Sequence, residues 1–151
     1  MIAAGDLAPD FTLRDQNNEP FELSSFRGEK AVLLVFYPLA FTSICTGELA
    51  SVQADLASFV NDEVETVSIS VDSVYSNKVF SEREGFEFRL LSDYWPHGAV
   101  AQAYGVFNDK AGFADRGTFL IDRAGVVRFA EHNGPGDGRN ADDWRKAIAA
   151  L

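Results

Sequence analysis

Cys45, the one cysteine in this chain of 151 residues, is the side chain best suited to redox or nucleophilic chemistry. It lies three residues after Thr42 and seven after Pro38, between an apolar run and a helical pattern. We expect Cys45 in or near the first turn of a helix, where free backbone N–H groups and the positive end of the helix dipole favour a thiolate. A helix end contributes only about 0.3 to 1 kcal/mol. A further donor is therefore needed, and the Thr42 hydroxyl can supply one.

A chemically inert interpretation of the same residues is also open. A single cysteine among apolar residues often serves as a small buried hydrophobe, and Thr42 and Ser43 would then simply cap the helix. One thiol excludes a disulfide within the chain and a zinc site made of several cysteines. The two histidines, His97 and His132, are not spaced as a ligand pair. We therefore expect no metal and no cofactor.

The elements that must position Cys45 alternate between strand and helix. The run 31–37 is continuously apolar, which predicts a strand buried on both faces. Further strands are predicted at 64–71, 117–121 and 126–130, with a hairpin turn at 122–125 and a small N-terminal hairpin formed by residues 11–13 and 21–23.

Helices are predicted at 48–60, 73–84 and 98–104, and from Asn140, which is a good N-cap, to the end. Strands that alternate with helices and end in a hairpin predict an α/β fold with a central mixed sheet flanked by helices. Because ligands of such sheets gather at the carboxyl ends of parallel strands, the segment 37–48 is well placed for a site. No linker or repeat divides the chain, so we expect a single domain over residues 1–151.

Composition excludes several classes of function. The chain has 13 Lys and Arg against 23 Asp and Glu, a formal charge of −10, which would repel nucleic acid and anionic membranes. The longest uncharged stretch, 31–47, is shorter than the roughly 20 apolar residues of a membrane span. The N-terminus lacks the basic and apolar regions of a signal peptide. We therefore expect a cytoplasmic protein.

The motifs around Cys45 resemble those of the peroxiredoxins, which are thiol peroxidases with a thioredoxin-like fold. Pro38, Thr42 and Cys45 have the P-x-x-x-T-x-x-C spacing of that family. Residues 8–13 (APDFTL) are similar to its opening A-P-D-F-x-L, and residues 116–122 (RGTFLID) to its later R-x-T-F-x-I-D strand. Residues 92–100 (SDYWPHGAV) further resemble the single-cysteine branch known as alkyl hydroperoxide reductase E.

The resemblance implies a role for each matching residue. Cys45 would be the peroxidatic cysteine, which attacks a peroxide oxygen as the thiolate and becomes a sulfenic acid. Thr42 would hydrogen-bond the thiolate and the incoming peroxide, and Arg116 would supply a planar cationic fork. Pro38 would shield the thiolate from water. Glu48 could orient Arg116 through an ion pair, or it could be an ordinary first-turn acid.

The resemblance also implies partners. Because there is no second cysteine, the sulfenic acid would be reduced by an external thiol: a low-molecular-weight thiol with a redoxin, such as mycothiol with mycoredoxin, or thioredoxin. A compact homodimer with its contact near the active-site loops is implied as well. Trp95, Phe41 and Phe107 are expected in the core or a subunit contact, with an apolar collar for an organic peroxide as the alternative, and a part for His97 is left open.

Two other functions compete with this one. A thioredoxin-like disulfide oxidoreductase needs a C-x-x-C pair, and Thr42 stands where its first cysteine would be, so dithiol exchange within the chain is excluded. A non-catalytic binding or chaperone module with a thioredoxin fold, in which Cys45 is inert, stays open.

Overall fold

A seven-stranded mixed sheet forms the centre of the protein, and the computed structural model describes all residues, Met1–Leu151. The strand order is β2-β1-β5-β4-β3-β8-β9, and a separate two-stranded ribbon pairs β6 with β7. The strands are β1 (Thr12–Arg14), β2 (Pro20–Glu22), β3 (Ala31–Phe36), β4 (Val64–Ser70), β5 (Arg89–Ser92), β6 (Phe107–Asn108), β7 (Phe113–Ala114), β8 (Arg116–Ile121) and β9 (Val127–Asn133).

Five α-helices cover the sheet. In chain order they are α1 (Ser43–Ala54), α2 (Leu56–Phe59), α3 (Val74–Glu84), α4 (Ala99–Ala103) and α5 (Ala141–Ala149), with a short 3₁₀ turn at Leu23–Phe26. Strands β3, β4 and β5 are parallel, whereas β8 is antiparallel to β3 and β9 is antiparallel to β8. The mixed sheet with flanking helices is confirmed, and so is the N-terminal hairpin, in which β1 pairs antiparallel with β2.

Strand β3 is buried along its whole length, as its unbroken apolar run predicts. Its side chains alternate between two core layers. Val32, Leu34 and Phe36 pack with α4 and the N-terminal hairpin, whereas Leu33 and Val35 pack in the layer that contains Cys45. The central strand therefore holds the cysteine-bearing layer against the rest of the core.

Helix α1 differs from the prediction at both ends. It begins at Ser43 rather than near residue 48, and it ends at Ala54, so that the predicted helix 48–60 is divided by Asp55 into α1 and α2. Apolar spacing did not reveal the first turn because that turn is largely exposed. The break at Asp55 coincides with its bond to Arg145 of α5, whose Nε lies 2.6 Å from the Asp55 carboxylate.

The other helices begin where the sequence predicts. Ser73 caps α3 by accepting a hydrogen bond from the Ser76 backbone, and Asn140 caps α5 by accepting one from the Asp142 backbone. Strand β5 and the β6–β7 ribbon were not predicted, because four- and two-residue strands are too short to show a period. None of the helices is long and apolar enough to cross a membrane.

Candidate active site

The loop between β3 and α1 is anchored by one carboxylate at the carboxyl end of β4. Asp72 Oδ2 accepts hydrogen bonds from the Ala40 backbone and from the Ser70 hydroxyl, each at 2.8 Å. Pro38 is buried, and Phe41 has a left-handed backbone with φ of 67°, which is uncommon for a residue other than glycine. These contacts attach the loop at Ala40, two residues before the N-cap of α1.

Cys45 is the third residue of α1 and is completely buried. Its backbone N–H is among those at the helix start that have no partner within the helix, so the thiol lies at the positive end of the helix dipole. The position in the first turn agrees with the sequence prediction. Tyr37 and Leu49 share its apolar layer. Burial raises the pKa of the Tyr37 hydroxyl well above its usual value, so this neighbour stays neutral.

Arg116, the first residue of β8, reaches the thiol directly. Its Nη2 donates to Cys45 Sγ at 3.3 Å, its Nη1 donates to Glu48 Oε1 at 2.6 Å, and its Nε donates to the Pro135 carbonyl at 2.9 Å. The guanidinium is buried, with 3% of the side chain exposed. The structure therefore brings Cys45 and Arg116 together and fixes the arginine from three directions.

Glu48 connects Arg116 to a second arginine that the sequence did not reveal. Oε2 of Glu48 accepts hydrogen bonds from Nε and the backbone N–H of Arg139, and Oε1 accepts one from Nη2. Nη1 of Arg139 donates to the Gly117 carbonyl and the Thr118 hydroxyl, each at 2.9 Å. The side chain of Arg139 is entirely buried. One carboxylate thus holds two guanidinium groups in place.

The ionisation of Glu48 follows from these contacts. Burial by itself would raise the pKa of this carboxyl group, but the hydrogen bonds and charge of Arg139, together with the charge of Arg116, outweigh burial and lower the pKa. Glu48 therefore stays ionised wherever the protein is folded near neutral pH, and it orients both arginines through ion pairs.

Thr42 lies at the N-cap of α1 but makes no hydrogen bond to Cys45 in this structure. Its hydroxyl group donates to the Leu39 carbonyl at 2.7 Å, and its side chain is exposed. The single hydroxyl hydrogen is thereby used, so that the oxygen remains free only as an acceptor. Pro38 lies buried at the other end of the same loop.

Residues 4–130 match the AhpC/TSA family. The chain belongs to the AhpC/TSA family of peroxiredoxins. This peroxiredoxin is 54% identical to alkyl hydroperoxide reductase E of Mycobacterium tuberculosis over 151 residues, which cover 100% of this chain and 99% of that protein. It is 34% identical to a putative peroxiredoxin of Synechocystis, over 100% of this chain and 79% of that protein.

Solved peroxiredoxin structures share its fold. The reduced 2-Cys peroxiredoxin of Plasmodium vivax superimposes with a TM-score of 0.89 at 30% identity, covering 99% of this chain and 82% of that one. The peroxidoxin BcpB of Mycobacterium tuberculosis gives a TM-score of 0.87 at 30% identity, covering 100% of this chain and 99% of that one. The expected thioredoxin-like fold is confirmed, and the chain is a member of a family of thiol-dependent peroxidases.

Arg139 is the site residue of this peroxiredoxin that the sequence reasoning missed. It lies 91 positions from Glu48, to which it is bonded, and no spacing rule connects the two. The local signal is weak: three glycines in the segment 134–138 precede Arg139, and Asn140 then caps α5. Such a glycine-rich segment lets the backbone approach α1 closely, and Arg139 is the first long side chain that follows it.

The other aromatic and histidine candidates lie away from the thiol. Trp95 is 81% exposed and Phe41 is 47% exposed, so neither belongs to the core of the chain. Phe107 is half-buried and packs against one core layer. His97 is exposed, and its Nε2 lies 2.7 Å from the Gly112 carbonyl. None of these side chains has a hydrogen bond or ion pair with Cys45, Arg116 or Glu48.

Proposed function

We propose that the protein reduces hydrogen peroxide and organic hydroperoxides through a Cys45 sulfenic acid that an external thiol recycles. The observation that carries the proposal is the bond from buried Arg116 to the Cys45 sulfur. Burying a guanidinium is costly unless it is paired, and an inert thiol in an apolar layer needs no such neighbour. A thiolate does, because its charge needs compensation.

The reaction uses the charge arrangement directly. The Cys45 thiolate attacks one peroxide oxygen, an S–O bond forms and the O–O bond breaks. The sulfur is oxidised by two electrons, and the second oxygen leaves as hydroxide or alkoxide, which takes up a proton to give water or an alcohol. Negative charge moves from sulfur to oxygen during this step. Arg116 can stabilise this charge throughout the step, because its guanidinium group contacts the sulfur while Glu48 holds the group in place.

Thr42 and Pro38 have separate roles when the peroxide binds. With its hydrogen committed to Leu39, the Thr42 hydroxyl is oriented to accept a hydrogen bond from the O–H of the peroxide. This hydrogen bond orients the peroxide for attack by the thiolate. Buried Pro38 excludes water from the thiolate, because its ring offers no donor or acceptor.

Burial of the thiol favours the competing function, an inert binding module, since Cys45 has no exposed surface. On the proposed function, the loop 37–42 must move for peroxide to enter. Leu39 and Phe41 of this loop and Ile44 in the first turn of α1 are exposed. Apolar side chains there suit an organic hydroperoxide as well as hydrogen peroxide, which agrees with the name of the relative that is 54% identical.

A stopped-flow measurement separates the two functions. Reduced protein mixed with hydrogen peroxide should show a fast change in tryptophan fluorescence, reported by Trp95 and Trp144, and Cys45→Ser should abolish it. A rate no faster than that of a free low-molecular-weight thiol would favour the inert module.

The external thiol follows from the cysteine count. One thiol can accept the peroxide oxygen but cannot form an internal disulfide. Mycothiol with mycoredoxin is the first candidate and thioredoxin the second. Mass spectrometry of peroxide-treated protein with each thiol should show which mixed disulfide forms at Cys45. Recovery of sulfinic acid alone with every thiol would argue against recycling.

A homodimer in the cytoplasm completes the proposal, with residues 1–151 as one domain. The loops after the parallel strands β3, β4 and β5 lie at the same end of the sheet. Large exposed apolar side chains lie at this end, among them Trp95 in the loop after β5 and Tyr75 in the first turn of α3, which are 81% and 82% exposed. An apolar surface of this kind beside the site suits a second copy of the chain.

A further inference from the structure

Glu131 places a second carboxyl group beside the arginines of the active site. It lies on β9 directly opposite Thr118 of β8. The side chain of Thr118 points to the same face of the sheet as that of Leu120, and Leu120 belongs to the layer of Cys45. Opposed side chains of an antiparallel pair have Cβ atoms about 4.5 to 5.5 Å apart. Because the Thr118 hydroxyl bonds to Arg139 at 2.9 Å, the Glu131 carboxyl group lies close to this guanidinium.

The indole N–H of Trp144 lies close enough to the Glu131 carboxyl group to hydrogen-bond it, and neither Oε1 of Glu131 nor Nε1 of Trp144 has another hydrogen-bond partner. The ring of Trp144 is buried, and its centre lies 5.4 Å from the guanidinium carbon of Arg139. Oε1 of Glu131 accepts and Nε1 of Trp144 donates, so the two atoms are complementary. Buried polar groups of this kind are rarely left unpaired. The peroxide chemistry described above uses neither atom.

Arg139 has one donor to spare. Four of its five guanidinium N–H groups are occupied, two by Glu48, one by the Gly117 carbonyl and one by the Thr118 hydroxyl. The fifth is on Nη2, the atom that already donates to Glu48. Oε1 of Glu131 is a buried acceptor in the same layer, and an ionised carboxylate can accept further hydrogen bonds. The two glutamates can therefore share the charge of one guanidinium.

We propose that Glu131 is a positioning residue that, in its neutral form, leaves the charge of Arg139 to Glu48 and, in its ionised form, binds the free N–H of Arg139 and takes a share of that charge. The effect reaches Arg116 because Glu48 holds both arginines through the same oxygen. When Glu131 neutralises part of the Arg139 charge, Glu48 interacts more strongly with Arg116, and less of the Arg116 charge is left for the sulfur. This inference rests on the proposed peroxidase function, since its consequence is felt at Cys45.

The charge count gives the direction of the effect. Arg116 and Arg139 balance Glu48 and a Cys45 thiolate, so that an ionised Glu131 leaves one negative charge in excess. An excess negative charge disfavours both the thiolate and the transition state in which charge moves to peroxide oxygen. The neutral form of Glu131 is therefore the more active one.

The charged groups that face Glu131 come from three elements: Arg139 from the loop before α5, Asp143 from α5 and Glu48 from α1. Burial raises the pKa of Glu131, the Arg139 charge and the hydrogen bond with Trp144 oppose this, and the two acids add to the increase. Across the strand pair it faces Thr118, which does not titrate. Glu131 therefore keeps its proton to a higher pH than an ordinary glutamate does.

The test is the pH dependence of the peroxide reaction in wild-type protein, Glu131→Gln and Asp143→Asn. We expect the wild-type rate constant to be attenuated as Glu131 ionises. Glu131→Gln should lack this ionisation. At pH values above the Glu131 pKa, this variant should react with peroxide about two- to tenfold faster than wild type. Asp143→Asn removes one carboxylate, as Glu131→Gln does, but from an exposed position. That variant should retain the ionisation, moved to lower pH.

A profile for Glu131→Gln that matches wild type in ionisations and rates would overturn the inference. Failure of the wild-type protein itself to react faster than a free thiol would instead remove the proposed function, so the two failures are distinct.

A second measurement does not depend on activity or on the folding of Glu131→Gln. In Trp95→Phe, Trp144 is the sole tryptophan, and its fluorescence should change as the neighbouring Glu131 carboxyl titrates. Adding Asp143→Asn should move the midpoint to lower pH by a few tenths of a unit, roughly the effect of one screened surface charge. A flat emission across the range, or a midpoint that Asp143→Asn does not move, would contradict the proposal.

Discussion

Nη2 of Arg116 donates to Sγ of Cys45 at 3.3 Å, although the two residues are 71 positions apart. Strand β8 pairs antiparallel with β3, so the first residue of β8 lies at the end of the sheet where β3 passes into the cysteine loop. Neither residue can move independently, because Glu48 on the same helix as Cys45 holds the arginine. The sheet pairing thus sets the distance between cation and sulfur.

Replacing Arg116 by lysine tests whether the planar fork is needed. An ammonium group cannot reach the sulfur and Glu48 together with fixed geometry. We expect the rate constant for peroxide to fall about 10²- to 10³-fold, measured by stopped-flow fluorescence. Arg128 is an exposed arginine on β9, and Arg128→Lys should leave the rate unchanged. An Arg116→Lys rate within threefold of wild type, roughly 0.6 kcal/mol, would mean that charge alone is sufficient.

Substitutions of Thr42 distinguish its hydroxyl from its shape. Serine retains the acceptor oxygen, so Thr42→Ser should react nearly as fast as wild type. Valine has the same shape without an acceptor, and we expect Thr42→Val to lose about 10- to 100-fold in the peroxide rate constant. Ser43→Ala removes the neighbouring exposed hydroxyl and serves as the matched control. Equal rates for Thr42→Val and Thr42→Ser would remove Thr42 from the mechanism.

Glu48 makes stability depend on pH in a definite direction. Its pKa is lower in the folded protein than in the unfolded chain, because the contacts with Arg139 and Arg116 outweigh burial. Its contribution is therefore complete above the ordinary glutamate pKa of about 4.3, and it is lost as the pH falls through the lower folded-state value.

Urea denaturation followed between about pH 3 and about pH 7 checks this dependence. At neutral pH, Glu48→Gln should be less stable by about 3 kcal/mol, since it removes the carboxylate that pairs with both buried guanidinium groups. The loss should shrink as the pH falls and wild-type Glu48 becomes protonated. Exposed Glu63 is the control, and Glu63→Gln should show neither effect. A Glu48→Gln difference that does not vary with pH would exclude ionisation of Glu48 as its cause.

Trp95 provides the test of the homodimer. If its exposed ring is buried against a second copy, Trp95→Ala should weaken dimerisation by about 30-fold or more. Sedimentation velocity over a dilution series gives the dissociation constant. Leu7 is also exposed, at 69%, but it pairs with Val126 at the opposite end of the sheet. Leu7→Ala should leave association unchanged, and equal weakening by both variants would place the contact elsewhere.

Local patterns were sufficient for part of this molecule. The apolar run of β3 and the N-caps Ser73 and Asn140 determine their own conformations through neighbouring residues, and the sequence predicts them well. The start of α1 was misplaced because its first turn lacks an apolar face. That turn is the part of the helix that carries the thiol.

Prediction of the site was limited by long-range contacts. The proximity of Cys45 and Arg116 was expected only from the family motif, and the structure supplies the geometry. Arg139 and Glu131 had no motif to mark them. Their places depend on the β8–β9 register and on the loop that follows it. Such pairings arise when distant strands meet, and no property of the adjacent sequence encodes them.

The division of the site between distant parts of the chain has a consequence during synthesis. Cys45 leaves the ribosome some 71 residues before Arg116, which at about 5 to 20 residues per second is an interval of seconds. In that interval, the thiol has neither its cation nor the oriented Glu48 carboxylate. A nascent chain thus carries an unactivated cysteine, and reactivity toward oxidants arises only when the last strands dock and the newly made protein is complete.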